Sequence, residues 1–70
     1  MIPLAYANQG EEVIIRKIGG SPETKKHLED LGFVVGTAVT VITTMNGSLI
    51  IKVKESRIAV NEEMARRIMV

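Results

Sequence analysis

Apolar residues change their spacing several times along this chain, and glycines mark most of the changes. Between Glu12 and Ile18 the β-branched residues Val13, Ile14, Ile15 and Ile18 dominate. Branching at Cβ restricts side-chain rotamers in a helix and suits a pleated strand. Period two puts Val13 and Ile15 on one face and Ile14 on the other. Gly19-Gly20 ends the strand.

The pattern then turns helical. Ser21 is a good N-cap, Pro22 fits the first helical position and Glu23 suits the positive end of the dipole. Leu28 and Leu31 are three apart and share a face. Gly32 fits the left-handed position after a helix, and Phe33 would then touch Leu28 in a Schellman stop. These signals predict a helix from Ser21 to Leu31. Upstream, Pro3 to Asn8 predicts one turn at most, with Pro3 as its first position and Leu4 and Ala7 inward.

Gly36 opens a strand from Thr37 to Thr44, and a second runs from Ser48 to Lys54, with Met45-Asn46-Gly47 between them as a hairpin signal. A two-residue Asn46-Gly47 loop would pair Val41 with Lys52 and Thr40 with Val53, mixing apolar and polar on each face. A three-residue loop, with Gly47 in a bulge, pairs Val41 with Ile51 and Val39 with Val53 and is preferred on that ground. Its other face carries Thr40 beside Lys52 and Ile42 beside Ile50. Arg57 to Val60 is a further strand with Ile58 and Val60 inward. Asn61 is a plausible N-cap, followed by Glu62 and Glu63. The tail is either one short helix or a single turn followed by a closing strand at Arg67 to Val70. The second is favoured, because a small barrel needs closure. The expected fold is mainly β: a small SH3-like, partly open barrel of about five strands with one inserted α-helix, formed by residues 1–70 as a single domain.

At 70 residues the chain has room for one small core. It has no cysteine, which removes disulfides, thiolate nucleophiles and cysteine-based metal sites. Nine Lys/Arg against eight Asp/Glu give a net charge of +1, which supplies no electrostatic reason to expect nucleic acid or acidic membrane. No apolar stretch approaches the roughly 20 residues of a spanning helix. Met1-Ile2-Pro3-Leu4 lacks the basic region of a signal peptide, so the expected location is cytoplasmic.

Candidate chemistry is sparse. His27 has only Glu23 and Asp30 at helical spacing, too few for a closed transition-metal site, and reads as a solvent-exposed helix residue. The carboxylate pairs Glu11-Glu12, Glu29-Asp30 and Glu62-Glu63 are neighbours in sequence, so they do not converge as acid–base work requires. Gly32 and Gly36 are not followed by the Lys-Ser/Thr of a phosphate loop. No catalytic residue, cofactor or metal is expected, and the chain does not read as an enzyme. Small barrels do bind nucleic acid, but base stacking needs aromatics, and only Tyr6 and Phe33 are present, with Phe33 needed at the helix end. The Lys and Arg residues read as solvated charge among acids. Ile14, Ile42 and Ile50 point outward in the chosen register. Either the inserted helix covers them with Leu28 and Leu31, which is favoured, or they form a partner surface. The loop from Leu31 to Gly36, with Val34 and Val35, is a second candidate surface.

The order of Pro3-Leu4, Gly10, Val13-Ile14-Ile15, Ile18-Gly19-Gly20 and Leu28-Glu29-Asp30-Leu31-Gly32-Phe33-Val34-Val35-Gly36-Thr37, with Ser56-Arg57-Ile58-Ala59-Val60 and an apolar tail, resembles the FeoA family. The likeness covers nearly the whole chain. Its core is Leu-x-x-Leu-Gly-(apolar)-x-x-Gly about ten residues after a Gly-Gly. Family members often carry a basic residue where His27 stands. The resemblance implies an SH3-like barrel in the free-standing form. It also implies a non-catalytic role in ferrous iron uptake, beside the membrane transporter FeoB and its cytoplasmic GTP-binding domain. Membrane contact would then come only through that partner. Related domains end some iron-dependent repressors, so a regulator or nucleic-acid module is the alternative. The partner-binding residues expected are Lys25, Leu28, Val34, Val35, Ile42 and Ile50, and self-association through the same patch or through strand edges is compatible with that role.

Overall fold

The computed structural model describes residues 1–70. After a 3-10 turn at Leu4–Tyr6 come strands β1 (Glu12–Ile14) and β2 (Lys17–Ile18), helix α1 (Pro22–Asp30), and strands β3 (Ala38–Met45), β4 (Ser48–Val53) and β5 (Ser56–Asn61). Helix α2 (Glu62–Arg66) and strand β6 (Ile68–Met69) complete the chain. Pro3 is not the first helical residue expected. It precedes the 3-10 turn in extended conformation and bridges to Met69.

An antiparallel sheet runs in the order β1-β3-β4-β5, and β2 pairs with β6. The strand expected from Glu12 to Ile18 is therefore broken, because the chain changes partner there. The Ile15 N–H still donates to the carbonyl of Thr37, the residue before β3, at 3.0 Å, whereas the Arg16 N–H donates to the Met69 carbonyl at 2.8 Å. The tail keeps the closing strand of its second reading, at Ile68–Met69, but a short helix, Glu62–Arg66, stands where that reading had a single turn. Ile2 and Val70 exchange backbone hydrogen bonds beyond β6, at 2.9 and 2.8 Å. These pairings build the SH3-like barrel.

The hairpin uses both registers weighed from the sequence. Val39 pairs with Val53 and Val41 with Ile51, as the apolar pattern demands. Nearer the tip, Thr43 pairs with Ile50 and Met45 with Ser48, leaving a two-residue Asn46-Gly47 loop. Both loop residues have positive φ, 37° and 83°, the signature of the tight turn that matches strand twist. The expected three-residue loop is thus wrong. The extra residue sits further down β3 instead, where the register shifts between Val41 and Thr43. Ile42 is that residue, so it does not lie beside Ile50.

Helix α1 ends as its sequence requires. Ser21 Oγ accepts from the Thr24 N–H at 3.2 Å. Phe33 N–H donates to the Leu28 carbonyl and Gly32 N–H to the Glu29 carbonyl, both at 2.9 Å, which is the Schellman pair. Gly32 has φ 108°, which side-chain-bearing residues rarely adopt. Leu28 and Phe33 are both fully buried. They join one apolar cluster with Leu4, Ile15, Val41, Ile51 and Ile68, drawn from both ends of the chain and every layer between. No polar side chain is buried.

Candidate docking surface

The Schellman stop turns Phe33 inward and releases the next two residues to solvent. Val34, Val35, Gly36 and Thr37 form a turn closed by the Thr37 N–H to the Val34 carbonyl at 3.0 Å. Gly36 at φ 94° occupies the third position, where such a turn needs a left-handed residue. Its N–H donates to the Ile15 carbonyl at 2.8 Å, which ties the turn to the end of β1. Val34 is 48% exposed and Val35 59%, on a turn held at its base by buried Phe33. Ile14, 42% exposed and paired with Ala38 across the ladder, belongs to the same end of the sheet.

The other expected partner residues divide. Lys25 is exposed on α1. Leu28 has no exposed surface and cannot touch a partner. Ile42 and Ile50 are half-buried. They also do not extend the Ile14 surface, because the polar row Glu12, Thr40, Lys52 and Arg57 crosses all four strands between Ile14 and Ile50. The favoured idea that α1 covers this outer face fails as well. Leu28 is spent in the core and Leu31 packs, half-buried, against the same cluster. What the outer face carries instead is a shallow polar pocket of about 420 Å³, lined by Glu12, Thr37, Ala38, Thr40, Lys52 and Lys54.

A second hollow, of about 390 Å³, is lined by Lys17, Gly19, Gly20, Arg66, Arg67, Met1 and Met69. Read along the sequence, its three cations looked like scattered charge. Only the pairing of β2 with β6 brings Lys17 to the end of α2. Arg66 Nη2 donates to Glu62 Oε1 at 2.7 Å, and Arg67 meets Glu63 at 3.5 Å. The hydrogen bond Arg66 donates to Glu62, and then the nearby Tyr6, raise the Arg66 pKa above its ordinary value. No three His, Asp or Glu side chains are grouped as a metal ion would require. His27 is exposed on α1. Phe33 is buried, which leaves Tyr6, 61% exposed, as the one aromatic at the surface. That is no platform for stacking successive bases. No helix is long and apolar enough to cross a membrane.

Known proteins share this chain's fold and sequence pattern. The family model for the FeoA domain matches residues 2–70. A Methanocaldococcus jannaschii protein named "Putative Fe(2+) transport protein A" is 41% identical over 70 residues, covering all of this chain and 85% of that one. The crystal structure of an iron uptake regulatory protein, FeoA, superposes with a TM-score of 0.87 at 28% identity, covering 96% of this chain and 89% of the other. Zinc-complexed FeoA from Stenotrophomonas maltophilia, described as a prokaryotic SH3 domain protein, gives a TM-score of 0.84 at 19% identity, with coverage of 99% and 88%. A manganese-dependent transcriptional repressor gives 0.86 at 13% identity, but only 38% of its chain is covered. The last two likenesses concern the fold alone.

Proposed function

The chain belongs to the FeoA family, and from that membership we propose that it is a non-catalytic accessory protein of ferrous iron uptake that docks on the cytoplasmic part of a FeoB-type transporter. The observation that carries this reading is the Val34–Val35 turn, where two branched apolar side chains face solvent on backbone hydrogen-bonded to Ile15, the residue after β1. A preorganised apolar projection binds without the entropic cost of ordering a loop. Burying the exposed half of each valine is worth about 1 kcal/mol or more, at roughly 25 cal/mol per Å². Ile14 extends the surface with a third apolar contact, and the exposed Lys25 on α1 is the charged group assigned to the interface. The name of the Methanocaldococcus relative supports the iron-transport part of this assignment.

The test is calorimetric titration of the protein into the purified full cytoplasmic region of the cognate transporter, with and without guanine nucleotide. Saturable binding that Val35→Asp weakens at least tenfold is the expected result. Equal binding by Val34→Asp, Val35→Asp and wild type would remove the turn from the interface. No binding in any nucleotide state would overturn docking on the cytoplasmic region.

A further inference from the structure

We infer that the hollow between β2, β6 and the end of α2 is a second binding site, and that it takes an acidic peptide segment of a partner protein. This rests on charge and geometry at Lys17, Arg66 and Arg67, away from the Val34–Val35 turn, and it stands whether or not that turn docks on a transporter.

Charge is the first argument. Three of the nine Lys/Arg residues line this hollow, and no carboxylate does. The larger outer-face pocket is different, because a carboxylate, Glu12, lines it together with Lys52 and Lys54. Glu62 and Glu63 pair with the two arginines but do not line the hollow. Arg66 uses one nitrogen for Glu62 and has Tyr6 beside it, and Arg67 makes only a long contact, 3.5 Å, to a Glu63 side chain that is 77% exposed. A guanidinium carries five donors, so most remain free for a ligand.

Preorganisation is the second. The Arg67 carbonyl accepts from the Gly19 N–H at 2.7 Å, which fixes the residue's backbone. Its side chain lies along Gly20. A Cβ added there would stand 3.1 Å from Arg67 Cδ and 3.2 Å from Nη1. Gly20 also has φ 100°. The glycine therefore leaves the space in which the guanidinium is seated, and a seated arginine loses less entropy on binding than a free one.

Size and lining decide the ligand. A single oxyanion would leave most of 390 Å³ empty, and Met1 and Met69 give the hollow apolar walls beside its cations. Arg and Met together are typical of protein interfaces. A segment that alternates carboxylate and aliphatic side chains satisfies both: its carboxylates meet the guanidinium forks and Lys17, and its aliphatic groups meet the methionines.

The experiment is an NMR titration of the ¹⁵N-labelled full chain with acetyl-Glu-Leu-Glu-Leu-Glu-amide, at low salt and again at about 0.3 M salt, where screening is strong. The expected result is shifts centred on the Gly19, Gly20, Arg67 and Met69 amides, with affinity falling at least fivefold at the higher salt. Lys17→Gln and Arg67→Gln should each weaken binding at least fivefold while leaving the rest of the spectrum in place. Lys52→Gln should bind as wild type does. Shifts centred on Lys52 and Lys54, or undiminished binding by both Lys17→Gln and Arg67→Gln, would overturn the site. Equal binding of the peptide with lysine in place of each glutamate would overturn its preference for acid. Inorganic phosphate binding as tightly as the peptide would overturn the peptide and leave a simple oxyanion site.

Discussion

Leu28→Ala is the substitution that bears most directly on how the inserted helix is held. Leu28 is the one buried residue of α1 and has no exposed surface. Nine residues of helix are too few to be stable alone in water, so the anchor decides whether α1 persists. Truncating a buried leucine costs about 2–5 kcal/mol, from lost transfer free energy and from the cavity left behind. The upper half of that range applies, since the same change removes the Leu28–Phe33 contact that closes the helix. At about 0.05–0.15 kcal/mol per residue, a chain of this length has only about 4–10 kcal/mol of stability to lose. The melting temperature should fall by roughly 15 °C or more, given about 4–8 °C per kcal/mol for small domains. Urea titration followed by circular dichroism gives the free energy, and amide exchange across α1 tells local detachment from global unfolding. Leu28→Met, nearly equal in volume, should cost less than about 1.5 kcal/mol. A loss below about 1 kcal/mol for Leu28→Ala would refute the placement of α1 by this side chain and reopen the outer face as its seat.

Gly36→Ala should destabilise by about 1–2 kcal/mol, wholly through backbone strain at φ 94°, because no atom lies within 4 Å of the added Cβ; thermal unfolding equal to wild type would contradict the turn geometry. Asn61→Ala should cost about 1 kcal/mol in urea titration, since the Asn61 side chain caps α2 by accepting from the Met64 N–H at 2.7 Å. Deleting Ile42 should leave a folded protein with Val41 still opposite Ile51 and Thr43 opposite Ile50, now in one regular ladder. Cross-strand NOEs report that register, and their loss or shift would count against the bulge.

The helix was legible because its signals are local. Ser21, Pro22, Gly32 and Phe33 each act within one turn of α1, and each does what its chemistry prescribes. The hairpin was legible only in part. Two rules applied to it and gave different answers: Asn-Gly demands a two-residue loop, and the apolar pattern demands the register of a longer one. Both are obeyed, because a bulge at Ile42 absorbs the one-residue difference. A sequence in which loop chemistry and face pattern disagree by one residue is therefore evidence for a bulge, at a position that only packing selects.

The candidate surface was harder to read, for a different reason. Burial of α1 depends on which side of the sheet the crossover takes, and nothing between Gly19 and Gly36 encodes that choice. Once Leu28 enters the barrel, the outer face loses its supposed cover, and the isoleucines there are separated by the row from Glu12 to Arg57. Val34 and Val35 stay exposed for a reason that was local: they follow a Schellman stop whose inward residue is already Phe33. The basic hollow had no local signal at all. Lys17 and Arg67 lie 50 positions apart in the numbering, and they meet because β6 closes the barrel against β2. The same closure that lets so short a chain enclose a core thus also gathers Lys17, Arg66 and Arg67 around one hollow, so a substitution that loosens β6 should weaken ligand binding there before it unfolds the sheet of β1, β3, β4 and β5.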